Sequence, residues 1–321
     1  MTPNPALAGR FAADLDALVA PDARVGVAVS GGPDSLALLL LAAAARPGKL
    51  EAATVDHRLR DGSAGEAAEV AELCDRLGVP HATLPLEWHE APQANLQARA
   101  REARYAALAG WAAQRRLAAL ATAHHLDDQA ETLLMRLARG AGLAGLAGIR
   151  RLRPIDAGGG ESILLVRPLL DWRRDELHAI VAAAALQSAE DPANRDPRHD
   201  RTRARALLAA IDWPEPARLA ASAANLADAE EALQFAAGRL GEERQRADGD
   251  ALLIDADGLP RELKRRLLLI ALQRLGEPAP RGPELMRAIA ALEQGGTATL
   301  GKLKLEGGRL WRLSPAPPRN R

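Results

Sequence analysis

The sequence predicts a doubly wound, mostly parallel α/β sheet over residues 1–211, then a smaller helical domain over 212–321 that ends in a β-hairpin. Three observations support this reading. Short apolar runs alternate with helical stretches through the first half, and strands separated by helices pair in parallel. From about Asp212 onward the pattern is helical. The tail TATLGKLKLEGGRLWRL then alternates polar and apolar around Gly307-Gly308, a two-residue turn of the hairpin type. The length agrees: the chain has 321 residues, 48% of them apolar, whereas single cores stop growing near roughly 250–300 residues.

The opening PALAGRFAADLDALV, about Pro5–Val19, is apolar at helical spacing. RVGVAVS, Arg24–Ser30, is a β-branched run that ends in a glycine-rich turn, the pattern of a buried strand. DSLALLLLAAAA, from Asp34, is a helix stopped by Pro47 and Gly48, and LEAATVDH, Leu50–His57, is the next strand. The alternation continues with a helix near Ala64–Leu77, a strand at Val79–Leu86, a long helix at about Asn95–Arg116 and a strand at Leu117–His124. Past Ile149 the regularity loosens into a glycine insert (Gly158–Gly160), a short strand (Ile163–Val166) and a helix at about Arg173–Leu186. The polar, proline-broken segment AEDPANRDPRHDR, Ala189–Arg201, leads to helices at roughly 202–209, 215–245, 260–275 and 283–293. In a doubly wound sheet, ligands sit at the carboxyl ends of the strands where strand order reverses, so the informative residues should follow strands.

Composition narrows the function classes. No apolar run is long enough to span a membrane, and MTPNPALAGRF lacks the basic-then-apolar order of a secretory signal, so a cytoplasmic enzyme is expected. A single cysteine, Cys74, excludes an intramolecular disulfide, a cysteine-rich zinc site and any mechanism that needs two thiols. The formal charge is zero but unevenly spread: residues 51–90 hold nine acids against three Arg, and residues 136–174 hold eight Arg against three acids. Only four of the 42 basic residues are Lys. The total reflects compositional bias, but the local Arg clusters point to a phosphate-rich partner, because the planar guanidinium fork matches phosphate oxygens.

The chemistry-bearing motifs follow strands. SGGPDS, Ser30–Ser35, lies between a strand and a helix, where backbone N–H groups cradle an anion and two glycines let phosphate approach closely. It is not the kinase-type loop, since no Lys occurs before Lys49. The second strand ends in Asp56-His57, where an adenine or ribose contact would lie. The strand at Leu117–His124 runs into HHLDDQAETLLMRLARGAGLAGLAGI, where Asp127 and Glu131 stand four apart on a helix and Asp128 and Glu131 three apart. Carboxylates beside His124 and His125 can hold Mg2+, bind an ammonium group or act as base toward an amine. Zinc is disfavoured, because the His-Glu-x-x-His spacing is absent. GAGLAG, Gly140–Gly145, matches a dinucleotide fingerprint in letters but follows a helix, so it reads instead as a flexible basic loop with Arg136, Arg139, Arg150, Arg151 and Arg153 around it. Arg101 and Arg104 share a helical face with Tyr105, and Arg201, Arg203 and Arg205 form a second basic cluster.

Taken in order, SGGPDS, VDHRLR, ARAREARY, AHHLDDQAETLLMRLARGAGLAGLAGI, RPLL and EDPANRDPRHDRTRAR resemble tRNA(Ile)-lysidine synthetases of the PP-loop, Rossmann-like ATP pyrophosphatase superfamily, over about residues 20–210. The resemblance implies that ATP adenylates the C2 oxygen of the wobble cytidine of tRNA(Ile) with a CAU anticodon, and that the ε-amine of L-lysine then displaces AMP. It implies that Ser30, Gly31, Gly32, Pro33, Asp34 and Ser35 hold pyrophosphate, Asp34 together with Mg2+, and that Asp56 and His57 line the nucleotide site. It further implies that Arg101 bears on the phosphates, that Asp128 and Glu131 orient the lysine ammonium, and that His124 lines the same pocket. A homodimer remains open as the assembly. The rivals are a PP-loop cytidine thiolase, an amidotransferase-like ATP pyrophosphatase acting on a small metabolite, and a non-catalytic nucleotide or RNA binder.

Overall fold

A computed structural model describes residues 2–58, 63–86, 96–188, 200–211 and 213–316. Leu59 and Arg60 of the VDHRLR run, most of the Ala189–Arg201 segment, Asp212 and the extreme C-terminal residues lie outside the described residues. The chain forms two compact units, Met1–Ala227 and Asp228–Arg321. No helix among the described residues is long and apolar enough to cross a membrane.

The first unit is built on strands β1 (Val25–Ala28), β2 (Leu50–Asp56), β3 (His81–Pro85), β4 (Ala119–Ala121), β5 (Leu152–Gly158) and β6 (Glu161–Val166), in the spatial order β3-β2-β1-β4-β6-β5. All pairings are parallel except that of β5 with β6. The helices are α1 (Pro5–Asp16), α2 (Pro33–Ala45), α3 (Ser63–Leu77), α4 (Leu96–Gln114), α5 (Leu126–Ala138), the single turn α6 (Leu143–Leu146), α7 (Arg174–Ala183) and α8 (Asp200–Ala210).

Both faces of the sheet are covered, which is why its strands read as continuous apolar runs rather than as alternating ones. Successive residues still diverge to opposite faces. Val25, Val27, Ala52, Ala119 and Ala121 join one core with Phe11, Leu15 and the apolar side chains of α2, while Ala53 and Leu120 join another with Tyr105, Leu108 and Trp111 of α4. Helix α2 is buried on every side from Ser35 to Ala42 because α1 and α7 pack outside it, which explains its unbroken LALLLLA composition.

Strand β5 is not legible as a strand in the sequence. It carries Pro154 and lies on the sheet edge, where a missing N–H costs no ladder bond. The glycine insert is the turn that folds it back on β6, with Gly158, Gly159 and Gly160 all at positive φ.

The second unit begins within a long helix, α9 (Pro216–Arg244), and adds β7 (Gln245–Asp248), β8 (Ala251–Ile254), α10 (Arg261–Arg274), α11 (Gly282–Glu293), β9 (Thr297–Leu300), β10 (Leu303–Glu306) and β11 (Trp311–Pro315). The expected terminal hairpin is present as β10 and β11, with Leu305 opposite Leu313, but its turn is longer than the expected two residues, since Glu306 stands opposite Arg312. It sits inside a five-stranded antiparallel sheet ordered β7-β8-β11-β10-β9. Strands β7 and β8 are an addition to the expectation. Their signal was Gly249-Asp250, a two-residue turn with Gly249 at φ 62°. Leu267, Leu268, Leu272, Leu285, Ile289 and Trp311 fill this unit's core, and Arg266 is buried against Glu230 at 2.6 Å.

The packing of α4 against the sheet leaves no room at Gly26, where an added Cβ would stand 2.8 Å from Trp111 Cζ3 and 2.9 Å from Leu117 Cδ1. Gly26→Ala should therefore destabilise the first unit by about 1–3 kcal/mol, read as a lower urea midpoint at unchanged slope by tryptophan fluorescence. An unchanged midpoint would show that α4 does not press this closely on β1.

Candidate active site

Strand order reverses at β1, which pairs with β2 on one side and β4 on the other. The chain leaving β1 and the chain leaving β4 therefore emerge side by side at the carboxyl edge, where such sheets bind ligands. The first is SGGPDS and the second HHLDD.

The SGGPDS loop is held by its own hydroxyls. The Ser30 N–H donates to Ser35 Oγ at 3.1 Å, and Ser35 Oγ donates to the Gly32 carbonyl at 2.8 Å. Gly31 adopts φ 81°, which favours glycine, and Gly32 stands as N-cap with Pro33 opening α2. The helix start and loop amides form a concavity suited to a phosphate group. Asp34 occupies the first turn of α2 and is part-buried.

Across the crevice, Asp34 meets two imidazoles. His125 Nε2 lies 3.5 Å from Asp34 Oδ2, and His178 Nε2 of α7 lies 3.3 Å from Oδ1. Burial alone would raise the Asp34 pKa, but His125, His178 and Arg174 outweigh it, so the carboxyl stays below its ordinary range. His125 is fully buried, and its ring nitrogens make no hydrogen bond among the described residues. They face Asp34, Asp127 and Asp128 at 3.5–3.7 Å. Burial lowers its basicity, and Asp34 and Asp128 more than reverse that, so its pKa ends above the ordinary value.

Helix α5 begins at this point because the Asp128 carboxylate accepts the His125 N–H at 3.1 Å, an N-terminal cap from the third helical residue. Asp127 accepts the Arg174 N–H at 2.8 Å and so ties α5 to the start of α7. Glu131, one turn further on and buried, is clasped by three guanidinium groups: Arg174 at 2.6 Å, Arg205 at 3.0 Å and Arg201 at 3.2 Å. Burial would raise its pKa, yet the hydrogen bonds from Arg205 and Arg174 bring it below the ordinary carboxylate value. Arg201 also reaches Asp128 at 3.6 Å. Arg201 and Arg205 of the predicted basic cluster are thus drawn onto the predicted carboxylates of α5, whereas Arg203 is exposed and meets Asp200 of its own helix at 3.9 Å.

A second half of the site is basic. The guanidinium carbons of Arg101, Arg104 and Arg153 lie 5.2, 5.4 and 5.6 Å from the centre of the Tyr105 ring. Burial raises the Tyr105 pKa, and Arg101, Arg104 and Arg167 more than offset it, leaving the phenol below its ordinary value. Arg167, buried at the end of β6, donates from Nε to His124 Nδ1 at 3.4 Å. Burial, and then the charges of Arg167, Arg101, Arg201 and Arg104, push His124 well below the ordinary histidine value, so it is neutral at pH 7.

The remaining expectations fall as follows. Asp56 ends β2 and accepts the Arg58 N–H at 3.0 Å, with His57 beside it, one strand over from the SGGPDS loop. Arg136, expected in a flexible basic loop, instead donates to the carbonyls of Gly145 and Gly148, while Gln129 and Ile149 exchange hydrogen bonds of 2.9 and 2.6 Å. That loop is therefore pinned to α5. His178, Arg167 and Arg174 are site residues to which the sequence reading gave no role, while His125, read there only as a neighbour of the carboxylates, stands at their centre. Arg167 was the most findable, because it directly follows a strand.

A PP-loop domain family model matches residues 7–211. The tRNA(Ile)-lysidine synthase of Novosphingobium aromaticivorans is 48% identical over 97% of this chain and 94% of its own length. This chain belongs to the tRNA(Ile)-lysidine synthase family. The Zymomonas mobilis tRNA(Ile)-lysidine synthase is 43% identical over 93% of this chain and 90% of its own. Among solved structures, the U34-tRNA thiolase of Methanococcus maripaludis shares the fold, with a TM-score of 0.55 at 16% identity over 71% of this chain and 80% of that one.

In this family member Glu131 fastens α8 to α5, and its protonation should govern part of the acid stability. The unfolded carboxyl titrates near 4.5 and the folded one lower, so its stabilisation is full above that pH and is lost as pH falls through the folded value. Glu131→Gln, which removes the buried counter-charge from three partly exposed guanidinium groups, should cost about 1–3 kcal/mol near pH 7. The gap to the parent should narrow as pH falls below about 4.5, measured by urea titration across pH. A pH-independent gap would refute the pairing.

Proposed function

We propose that this tRNA(Ile)-lysidine synthase family member ligates L-lysine to C2 of the wobble cytidine of tRNA(Ile) with a CAU anticodon, in the cytoplasm. ATP is consumed and AMP and pyrophosphate are released. The observation that carries the reading is the junction of SGGPDS with HHLDD, where Asp34 stands 3.5 Å from His125. A pyrophosphate cradle and a carboxylate-lined helix start then share one crevice, which is what adenylation followed by amine attack requires.

In this reading the amides of Ser30, Gly31, Gly32 and Ser35, with Pro33 shaping the turn, hold the departing pyrophosphate. Asp56 and His57 flank the adenosine side. Arg101 faces the α-phosphate, where its charge opposes the negative charge that grows as the cytidine oxygen attacks. Asp34 fits a role as Mg2+ ligand: it is a hard oxygen donor at a helix start, and its Oδ1 makes no hydrogen bond among the described residues. A bound Mg2+ would neutralise phosphate charge. Asp128 and Glu131 present negative charge to the lysine ammonium, and Glu131 also fixes the α8 arginines. The lysine nitrogen bonds to C2 as the C2–O bond to AMP breaks. We assign adenylation to residues 1–211 and tRNA binding to residues 212–321.

The thiolase reading loses support because it needs reactive thiols. Cys74 is buried, and burial pushes its thiol up to about 12.

Labelled lysine should enter an unmodified tRNA(Ile) transcript with a CAU anticodon only when ATP is present, with stoichiometric AMP, and Asp34→Ala should abolish both. AMP release without lysine incorporation would transfer the site to another nucleophile, and the absence of both would leave a binder. Transfer RNA affinity should also fall at least about tenfold between roughly 50 and 200 mM salt if the Arg clusters contact phosphates. A flat salt response would exclude them as the contact surface.

A further inference from the structure

His124 lies where a general base for the lysine amine would be sought, and its surroundings argue for a different task. The parallel pairing of β4 with β6 sets Ala121 opposite Val166, so the next residues, Thr122 and Arg167, come off the carboxyl edge together. The Thr122 N–H donates to the Val166 carbonyl at 3.0 Å, and Arg167 is anchored by its own N–H to the Arg151 carbonyl at 3.0 Å and by Nη1 to the Arg150 carbonyl. Two residues beyond Thr122 the chain brings the His124 ring back between these two side chains.

Both reach the same ring nitrogen. Arg167 Nε lies 3.4 Å and Thr122 Oγ1 3.1 Å from His124 Nδ1. A guanidinium has only donors, so Nδ1 must accept, and an accepting Nδ1 carries no proton. The Thr122 hydroxyl then donates to the same lone pair. With Nδ1 bare, a neutral imidazole holds its proton on Nε2. The charged groups facing the ring are Arg167 from the end of β6, Arg101 and Arg104 from α4 and Arg201 from α8, all cationic, with the Tyr105 phenol beside Arg167. Nothing among them favours a second proton.

We infer that Arg167 and Thr122 are positioning residues that lock His124 as the neutral Nε2–H tautomer, so that His124 donates a hydrogen bond to a substrate oxygen and is not the base that deprotonates the lysine amine. The oxygen is one that gains charge in the reaction, either the cytidine C2 oxygen or a phosphoryl oxygen, and a fixed donor stabilises it without reorganising. That assignment of the oxygen rests on the lysidine-forming reading; the tautomer does not.

The first test is long-range 1H–15N NMR of the full chain labelled at histidine, with the His124 ring assigned by its absence in His124→Gln. A bare, accepting Nδ1 and a protonated Nε2, unchanged between pH 8 and pH 6, are expected. A protonated Nδ1, or an imidazolium at pH 7, overturns the inference whatever the enzyme's activity. The second test is kinetic. Gln places an amide N–H near the position of Nε2 and cannot serve as a base, so His124→Gln should keep kcat for lysine transfer within about tenfold, while His124→Ala should lose about 100- to 1000-fold, the usual effect of deleting one fixed donor. Equal loss in both variants would restore His124 as a base. Failure of lysine transfer in the parent enzyme would instead count against the proposed function and leave the NMR result standing.

Discussion

The first unit depends on one constraint: β1 must pair in parallel on both of its edges. Val25 is registered with Leu50 on one side and with Ala119 on the other. A parallel pair requires a crossover, and the crossovers here carry α2 and α4 to opposite faces of the sheet. With both edges of β1 occupied, the connections after β1 and β4 have only the carboxyl edge between them to enter. The juxtaposition of SGGPDS with HHLDD is therefore a consequence of strand order and needs no long-range side-chain attraction to create it. The ion-pair distances from Asp34 to His125 and His178 refine a meeting that the backbone has already arranged.

The crevice is divided electrostatically. Asp34, Asp127 and Asp128 surround a His125 of raised basicity, whereas burial and the charges of Arg167, Arg101, Arg201 and Arg104 lower the basicity of His124. Two adjacent histidines are thus pushed in opposite directions by the charges each one faces. Glu131 stands at the border, and its ion pairs with Arg174, Arg201 and Arg205 bring α8 against α5. This division suits a reaction that handles an ammonium and several phosphoryl oxygens in one pocket, since each charged group meets its counterpart without crossing the other's field.

The parts of the site that follow strands were legible in the sequence. SGGPDS, Asp56-His57 and the carboxylates of α5 all come directly after β-branched or apolar runs, and the doubly wound pattern says that such positions converge. Arg167 and His178 were not visible as partners of particular residues, because the first is set by the β4–β6 register and the second by the face that α7 turns to α2. Neither register nor facing has a local sequence signature. The missed strands have a related cause. Strand β5 is an edge strand with a proline and weak alternation, while β7 and β8 are four residues each, too short for periodicity to separate them from the end of a helix. In both places the turn chemistry, Gly158–Gly160 and Gly249-Asp250, was the stronger signal.

The basic half of the crevice has a stability consequence of its own. Guanidinium groups stay charged at all working pH, so Arg101, Arg104, Arg153 and Arg167 cannot relieve their mutual repulsion by losing protons, as lysines would. Arg101 and Arg153 are exposed and screened by water, which concentrates the cost on Arg167, buried with only 3% of its surface accessible. Its charge is met by the Tyr105 phenol, the Arg150 carbonyl and the His124 lone pair, all neutral partners. No carboxylate among the described residues is paired with it. Neutral acceptors offset less of a buried charge than an anion does, so the site retains unspent attraction for a negatively charged oxygen. A carboxylate placed there would stabilise the empty protein and would compete with the substrate for the same guanidinium. The two halves of the crevice therefore differ in kind: among the described residues Glu131 is countered by Arg174, Arg201 and Arg205, whereas Arg167 has no anionic counterpart.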